Sequence, residues 1–137
     1  MVPVDAFVDT NVFIRFFVKD DSKKTEGLQR LIQKARKGEL VLHVIPIVVL
    51  EIVWMLEKIY KWPRGKILEL IQALLNTPEL KVEMRDMVNQ AIQLYETTNI
   101  KFADAFIACW VKRKGGRLFY TYDKKHFKVV GLDVEEP

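Results

Sequence analysis

Apolar residues recur along the chain in two alternating patterns, as short runs and as longer stretches with a spacing of three or four. The short runs predict strands at residues 6–8, 41–45, 80–83, 118–122 and 129–134. The longer stretches predict helices at residues 12–18, 22–37, 46–60, 63–75, 85–98 and 102–114. Strands that alternate with helices predict an α/β fold, with a mainly parallel central sheet of four to five strands sandwiched by helices.

Several helix boundaries are marked by residues with a physical reason to be there. Asp9-Thr10-Asn11 follows the first strand and offers short polar side chains to free backbone N–H groups. The second helix is expected to begin at Asp21 or Ser22 and to end at Gly38. Pro46 suits the first position of the helix that follows the second strand.

Length and composition restrict the class of protein. The 137 residues suit one domain, residues 1–137, and can bury a core without a disulfide or structural metal. Cys109 is the only cysteine and is expected to be a small core residue, which fits a reducing compartment. Without a secretory signal or an apolar run of ~18 residues, we expect a soluble, cytoplasmic protein with no membrane partner.

Charge adds a weaker indication. The 22 basic and 18 acidic residues give a net charge of +4, which is compatible with an anionic partner such as nucleic acid but does not require one.

Four acids lie in surroundings where acids are uncommon. Asp9 and Asp123 end predicted strands, Glu51 interrupts an apolar helix, and Asp104 lies in the first turn of the helix at 102–114. Each has an ordinary explanation when taken alone. Asp9 can cap a helix, Asp104 can favour a helix dipole, Asp123 can be a turn residue, and Glu51 can reach solvent.

Together the four acids indicate a metal site. The C-terminal ends of parallel strands and the starts of the following helices face one edge of a sheet, so the four carboxylates can converge there. Carboxylates that lie so close repel one another, and a hard divalent cation such as Mg²⁺ or Mn²⁺ relieves this repulsion. Such a site suits phosphoryl chemistry. Asn11 and Thr121 lie near enough in sequence to be supporting polar groups.

Four segments resemble those of PIN-domain proteins, above all the VapC-type ribonuclease toxins of toxin–antitoxin pairs. They are Val8-Asp9-Thr10-Asn11-Val12, residues 49–54 around Glu51, Phe102-Ala103-Asp104-Ala105, and residues 120–123 with Phe127, in order and at family-like spacing. The resemblance implies a metal-dependent endoribonuclease in which Asp9, Glu51, Asp104 and Asp123 hold Mg²⁺ or Mn²⁺. It also implies a homodimer and neutralisation by a small antitoxin.

One position departs from this resemblance. Many relatives carry a further acid just after the one at Asp123, whereas this chain continues Lys124-Lys125-His126-Phe127. The departure bears on a second metal ion and leaves the first unaffected.

Basic and aromatic residues provide candidates for substrate contact. Lys124, Lys125 and Arg113 are candidate RNA-binding residues, together with neighbours at 112–117, since an RNA backbone is drawn to such charge. His126 could act as a base or an RNA contact, although a surface histidine is the simpler interpretation. His43 is expected to be structural. The three tryptophans, Trp54, Trp62 and Trp110, are expected in the core or in a dimer interface.

Three other functions share part of this pattern. The same nuclease site could serve RNA processing or DNA cleavage without an antitoxin. A haloacid-dehalogenase-like phosphatase would have a second Asp two residues after Asp9, where this chain has Asn11. A receiver-like signalling module would have paired acids at the first strand, but position 8 is Val, and Pro46 follows the second predicted strand.

Overall fold

The computed structural model describes residues 2–19, 22–116 and 118–137, with only the backbone described at residues 22–25. The chain forms two compact units, residues 1–84 and 85–137. The first unit contains β1 (Val4–Phe7), α1 (Thr10–Val18), α2 (Ser22–Arg36), β2 (Leu40–Val44), α3 (Pro46–Lys58), α4 (Arg64–Leu75) and β3 (Leu80–Val82). The second contains α5 (Arg85–Thr97), α6 (Phe102–Arg113), β4 (Leu118–Tyr120), α7 (Lys124–Val129) and β5 (Asp133–Glu135).

The first unit has a three-stranded parallel sheet in the order β1-β2-β3. Phe7 pairs in register with His43, which pairs in turn with Lys81. The apolar side of the sheet is formed by alternate residues of β2 and β3, namely Leu42, Val44, Leu80 and Val82, all of which are buried, and His43 between two of them is buried as well. Helix α2 contacts β2, and helix α4 contacts β3. The predicted edge strand at 80–83 therefore lies at the edge of this sheet.

The helices of the first unit pack as their apolar spacing predicts, with one exception. In α3, Val48, Ile52 and Leu56 are buried at helical spacing, whereas Ile59, inside the predicted helix at 46–60, follows the end of α3 and is 54% exposed. Gly38 follows α2 with a φ of +81°, a conformation that favours glycine at a helix end. Asp21, the alternative start of α2, lies outside the described residues.

The second unit pairs helices α5 and α6 and has a two-stranded parallel sheet, β4-β5. The rings of Tyr95 on α5 and Phe102 on α6 meet edge to face at 5.7 Å. Cys109 is buried, as expected, and burial raises the pKa of its thiol.

The predicted strand at 129–134 is wrong in position. Val129 ends α7, a helix that the sequence reasoning missed, and the strand begins later, at Asp133. Gly131, with a φ of +85°, turns the chain between helix and strand.

The α/β class and the parallel pairing of the strands are thus confirmed, with the five strands divided between two sheets. Among the described residues, no helix is long and apolar enough to cross a membrane.

Candidate metal centre

Asp9 lies where β1 gives way to α1. The Val8 N–H donates to the His43 carbonyl at 3.1 Å, which continues the parallel pairing to the residue before Asp9. Asp9 then caps α1, because its Oδ1 accepts a 2.8 Å hydrogen bond from the Thr10 N–H. The ordinary reading as a cap is therefore correct, but it uses one carboxylate oxygen and leaves the second for a ligand.

The first turn of α1 carries further polar groups beside Asp9. Asn11 is exposed, which is compatible with a supporting contact to a ligand or water. The Thr10 side chain is buried, and its hydroxyl has no hydrogen-bond partner among the residues that the structure describes. A buried hydroxyl without a partner is uncommon, and a nearby water or ion is one physical explanation for it. The surroundings of Asp9 therefore fit a metal site.

Glu51 belongs to α3, which begins directly after β2. Because β1 and β2 are parallel neighbours, α1 and α3 begin at the same edge of the three-stranded sheet, and the two helices are in contact. Glu51 is five residues beyond Pro46, or about 7 Å along the helix. It lies on the exposed side of α3, between Ile47 and Trp54. The first unit thus supplies two carboxylates from one edge.

Asp104 occupies the first turn of α6 in the second unit and is half-buried. Negative charge is favourable in this position because the helix dipole is positive there. Lys101 precedes the helix as its N-cap.

Asp123 lies three residues after β4 and directly before α7, as its N-cap residue, so it does not end the strand itself. The Asp123 N–H donates to the Thr121 hydroxyl at 2.9 Å, so Thr121 contacts the backbone of Asp123, and its supporting role at a metal site stays a prediction. His126 Nδ1 lies 2.7 Å from Asp123 Oδ2. This hydrogen bond, and to a smaller degree the charge of Lys101, holds the pKa of Asp123 below its ordinary value.

The influence of Lys101 on Asp123 indicates that the start of α6, which also carries Asp104, lies near the start of α7. Each unit therefore brings two of the four predicted acids towards one end. Within either unit, the described His, Cys, Asp and Glu side chains form no group of three that could hold a metal. The convergence of all four carboxylates stays a prediction.

The basic candidates differ in their surroundings. Lys124 forms an ion pair with Glu136 at 3.4 Å, and the negative charge of Glu136 partly neutralises the lysine. Lys125 is exposed on α7, and Arg113 is exposed at the end of α6. Arg117 lies outside the described residues.

The hydrogen bond between His126 and Asp123 was not predicted. His126 is three residues after Asp123, the cap of α7, and the side chains of a helix cap and of the third helical residue can contact each other. That signal was in the sequence, but it depended on α7, which was not predicted.

The sequence matches the PIN domain family over residues 6–132, a range that includes all four acids. The chain belongs to the PIN domain family.

The chain is also similar to a VapC ribonuclease from Aquifex aeolicus (strain VF5). The two sequences are 29% identical over 131 residues, which cover 95% of each chain. The similarity therefore extends from the first strand to the last helix and is not limited to a single motif.

Proposed function

We propose that this protein is a divalent-metal-dependent endoribonuclease and the toxin of a VapBC-type toxin–antitoxin pair. The observation that carries the proposal is the similarity to a VapC ribonuclease over 95% of both chains. Carboxylates at Asp9, Glu51, Asp104 and Asp123, within the matched PIN domain, support it.

The four carboxylates would hold Mg²⁺ or Mn²⁺, since both ions prefer oxygen ligands. When bound, such an ion activates water and neutralises charge that develops on a phosphodiester. The protein's own contribution is to hold the ligands in place. The Thr10 N–H fixes Asp9, and His126 and Thr121 fix Asp123 from its side chain and its backbone.

Positive charge near Asp123 would draw the RNA backbone to the site. Lys125 and Lys101 are exposed in the same unit as Asp123, and Arg113 adds charge at the other end of α6. Lys124 contributes less in this proposal, because Glu136 already pairs with it.

A small antitoxin protein, a homodimeric assembly and a cytoplasmic location complete the proposed toxin. Co-expression with a small protein encoded beside this gene tests the antitoxin directly. We expect the two proteins to copurify and RNA cleavage to be suppressed in the complex. A gene without such a neighbour, with RNA cleavage intact, would favour the RNA-processing alternative.

Nuclease activity is tested by incubating the purified full chain with total cellular RNA in Mg²⁺, in Mn²⁺ and in EDTA. Asp104→Asn tests the site, and Asp86→Asn is its matched control, because Asp86 lies in the first turn of α5 as Asp104 lies in the first turn of α6. We expect metal-dependent cleavage that is lost in Asp104→Asn and kept in Asp86→Asn. Cleavage that persists in EDTA or in Asp104→Asn would contradict the proposal.

A further inference from the structure

A cavity of about 300 Å³ lies within the second unit. One wall is the connection between α5 and α6, with Asn99 and Ile100, and the other is α7, with Lys125, His126 and Val129. His126 is hydrogen-bonded to Asp123, so the cavity is adjacent to one of the proposed metal ligands.

The polar groups around this cavity divide into those already engaged and those still available. The Thr97 and Thr98 hydroxyls donate to carbonyls one turn earlier in α5, at 2.8 and 2.6 Å. In contrast, the Asn99 side chain and the Lys125 ammonium are exposed and have no polar partner in the described part of the chain. Among the described residues that line it, the cavity thus offers the Asn99 amide and the Lys125 ammonium without a polar partner.

Apolar and ring surfaces complete the lining. Ile100 is buried at 2% exposure, whereas Val129 is 63% exposed and presents its side chain to the surface. The His126 ring is half exposed and is held through Nδ1 by Asp123, which restrains its position. An aromatic ring beside aliphatic side chains is a surface on which a flat heterocycle can stack.

We propose that this cavity is the binding subsite for one unpaired RNA nucleotide next to the scissile phosphate, an inference that rests on the proposed ribonuclease function. The base stacks against His126 and Val129, the Asn99 amide pairs with the base edge, and Lys125 contacts the adjoining phosphate. An amide carries both donors and an acceptor, which a base edge requires. A volume of about 300 Å³ is at the small end of ligand pockets and suits a single nucleotide.

The subsite predicts the form of the substrate. A base inside a helix presents only its groove edges, whereas a base in this cavity must be unstacked and unpaired. The protein should therefore cut in single-stranded segments or loops and prefer particular bases at one position beside the cut.

A larger cavity of about 630 Å³ between α5 and α6 does not carry the same inference. Its lining includes Gln90, Gln93 and the buried Cys109, and no lining residue has a described hydrogen bond to one of the four acids, as His126 has to Asp123. It supplies control positions instead.

The first test is nucleotide binding to the metal-free full chain in EDTA, so that it does not depend on cleavage. Backbone amide NMR signals are followed during titration with AMP, GMP, CMP and UMP, and with a short single-stranded RNA. We expect shifts concentrated at residues 97–100 and 125–129, with one nucleotide producing them at the lowest concentration. Shifts absent from these residues, or centred on Gln90 and Gln93, would overturn the subsite.

The second test compares cleavage by matched variants. Asn99→Ala and Lys125→Ala should raise KM for a single-stranded RNA by about tenfold, with kcat little changed, and Asn99→Ala should broaden the base preference beside the cut. The controls are Asn89→Ala on α5 and Lys128→Ala on α7, both exposed and away from the cavity lining.

The two tests separate the subsite from the proposed function. If the wild type cuts RNA and the Asn99 and Lys125 variants keep its KM and cut sites, the subsite is wrong and the nuclease stands. If the wild type cuts no RNA, the nuclease proposal fails, and the NMR titration alone decides whether the cavity binds a nucleotide.

Discussion

His43 and His126 both lie 2.7 Å from a carboxylate oxygen, but their surroundings differ. His43 is on the middle strand of the three-stranded sheet, its side chain is 10% exposed, and both ring nitrogens contact acids, Asp5 and Glu83. His126 is on the short helix α7, its side chain is 48% exposed, and a hydrogen bond to Asp123 occupies only Nδ1.

The two environments suit different tasks. An ionised carboxylate can only accept a hydrogen bond, so both contacts of His43 form fully when both ring nitrogens carry protons. His43 then ties β1 to the residue after β3, and its ring stacks on Phe7 at 4.9 Å, so the cluster serves the sheet. His126 retains a ring nitrogen and an open ring face beside a cavity, which leaves it available to a ligand.

The largest expected difference in RNA cleavage is between variants of the acids that contact the two histidines. Asp123→Asn should lower metal-supported RNA cleavage by at least about 100-fold, because a proposed metal ligand loses its charge. Asp5→Asn should keep the wild-type rate, since the hydrogen bond that the structure describes for the Asp5 side chain is to His43. Cleavage is measured at equal metal concentration after melting curves have shown both variants folded. An equal loss of cleavage in both variants would show that the acids beside His43 and His126 do not differ in their role in activity.

Replacement of the histidines themselves should have a smaller effect on activity. His126→Ala should reduce cleavage by about tenfold, because Asp123 loses the partner that orients it. His43→Ala should leave the rate unchanged at a temperature where it is folded. The rates are measured at saturating RNA and increasing Mn²⁺. A rate unaffected by His126→Ala would show that His126 does not position Asp123.

The melting temperature should fall more in His43→Ala than in His126→Ala, the opposite of the order expected for activity. His43→Ala should lower the melting temperature by about 5 °C, because it leaves two acids without their shared partner in the sheet. His126→Ala removes an exposed contact, and such contacts contribute little. Scanning calorimetry of the two variants measures both effects. A larger loss in His126→Ala would contradict the assignment of His43 as the structural residue.

The His43 cluster should also make stability depend on pH. Hydrogen bonds to Asp5 and Glu83 raise the pKa of His43 above its ordinary value of 6.5. The stabilisation is therefore fully present below pH 6.5 and is lost as the pH rises through the folded-state pKa. The difference in melting temperature between wild type and His43→Gln should be larger at about pH 6 than at about pH 9. A difference independent of pH would show that the cluster does not depend on the charge of His43.

The smallest expected effect is on the titration of Asp123. The hydrogen bond from His126 lowers the pKa of Asp123 below 3.8, so its stabilising contribution is present above pH 3.8 and is lost as the pH falls through the lower folded-state value. Carboxyl-carbon NMR in the metal-free protein should show this pKa rise towards the ordinary value in His126→Ala. A pKa unchanged by the substitution would assign the lowering to another group.

Much of the fold was predictable because local spacing carries it. The helices α1 to α6 bury apolar residues at helical spacing. Residues such as Asp9, the cap of α1, and Pro46, the first residue of α3, mark where they begin. Helix α7 was missed because its six residues, Lys-Lys-His-Phe-Lys-Val, bury only Phe127 and so show no apolar period. The division of the strands into two sheets depends on tertiary pairing, which period-two patterns do not encode.

The candidate site divides in the same way. Asp9, Glu51, Asp104 and Asp123 could be selected from the sequence alone, because acids are uncommon beside runs of apolar residues. The partners of His43 could not be predicted, because Glu83 and Asp5 are 40 and 38 residues away in sequence. The position of Asn99 beside α7 could not be predicted for the same reason, because it depends on how α5 and α6 pack.

Mn²⁺ binding tests most directly the proposal that the four acids together hold a divalent metal. Calorimetric titration of the full chain with Mn²⁺, in the absence of RNA, is compared among wild type, the four single variants Asp9→Asn, Glu51→Gln, Asp104→Asn and Asp123→Asn, and the control Asp5→Asn. We predict that all four variants bind Mn²⁺ about 10- to 100-fold more weakly, whereas Asp5→Asn binds like wild type. A wild type that binds no Mn²⁺, or four variants that bind it unchanged, would contradict the claim.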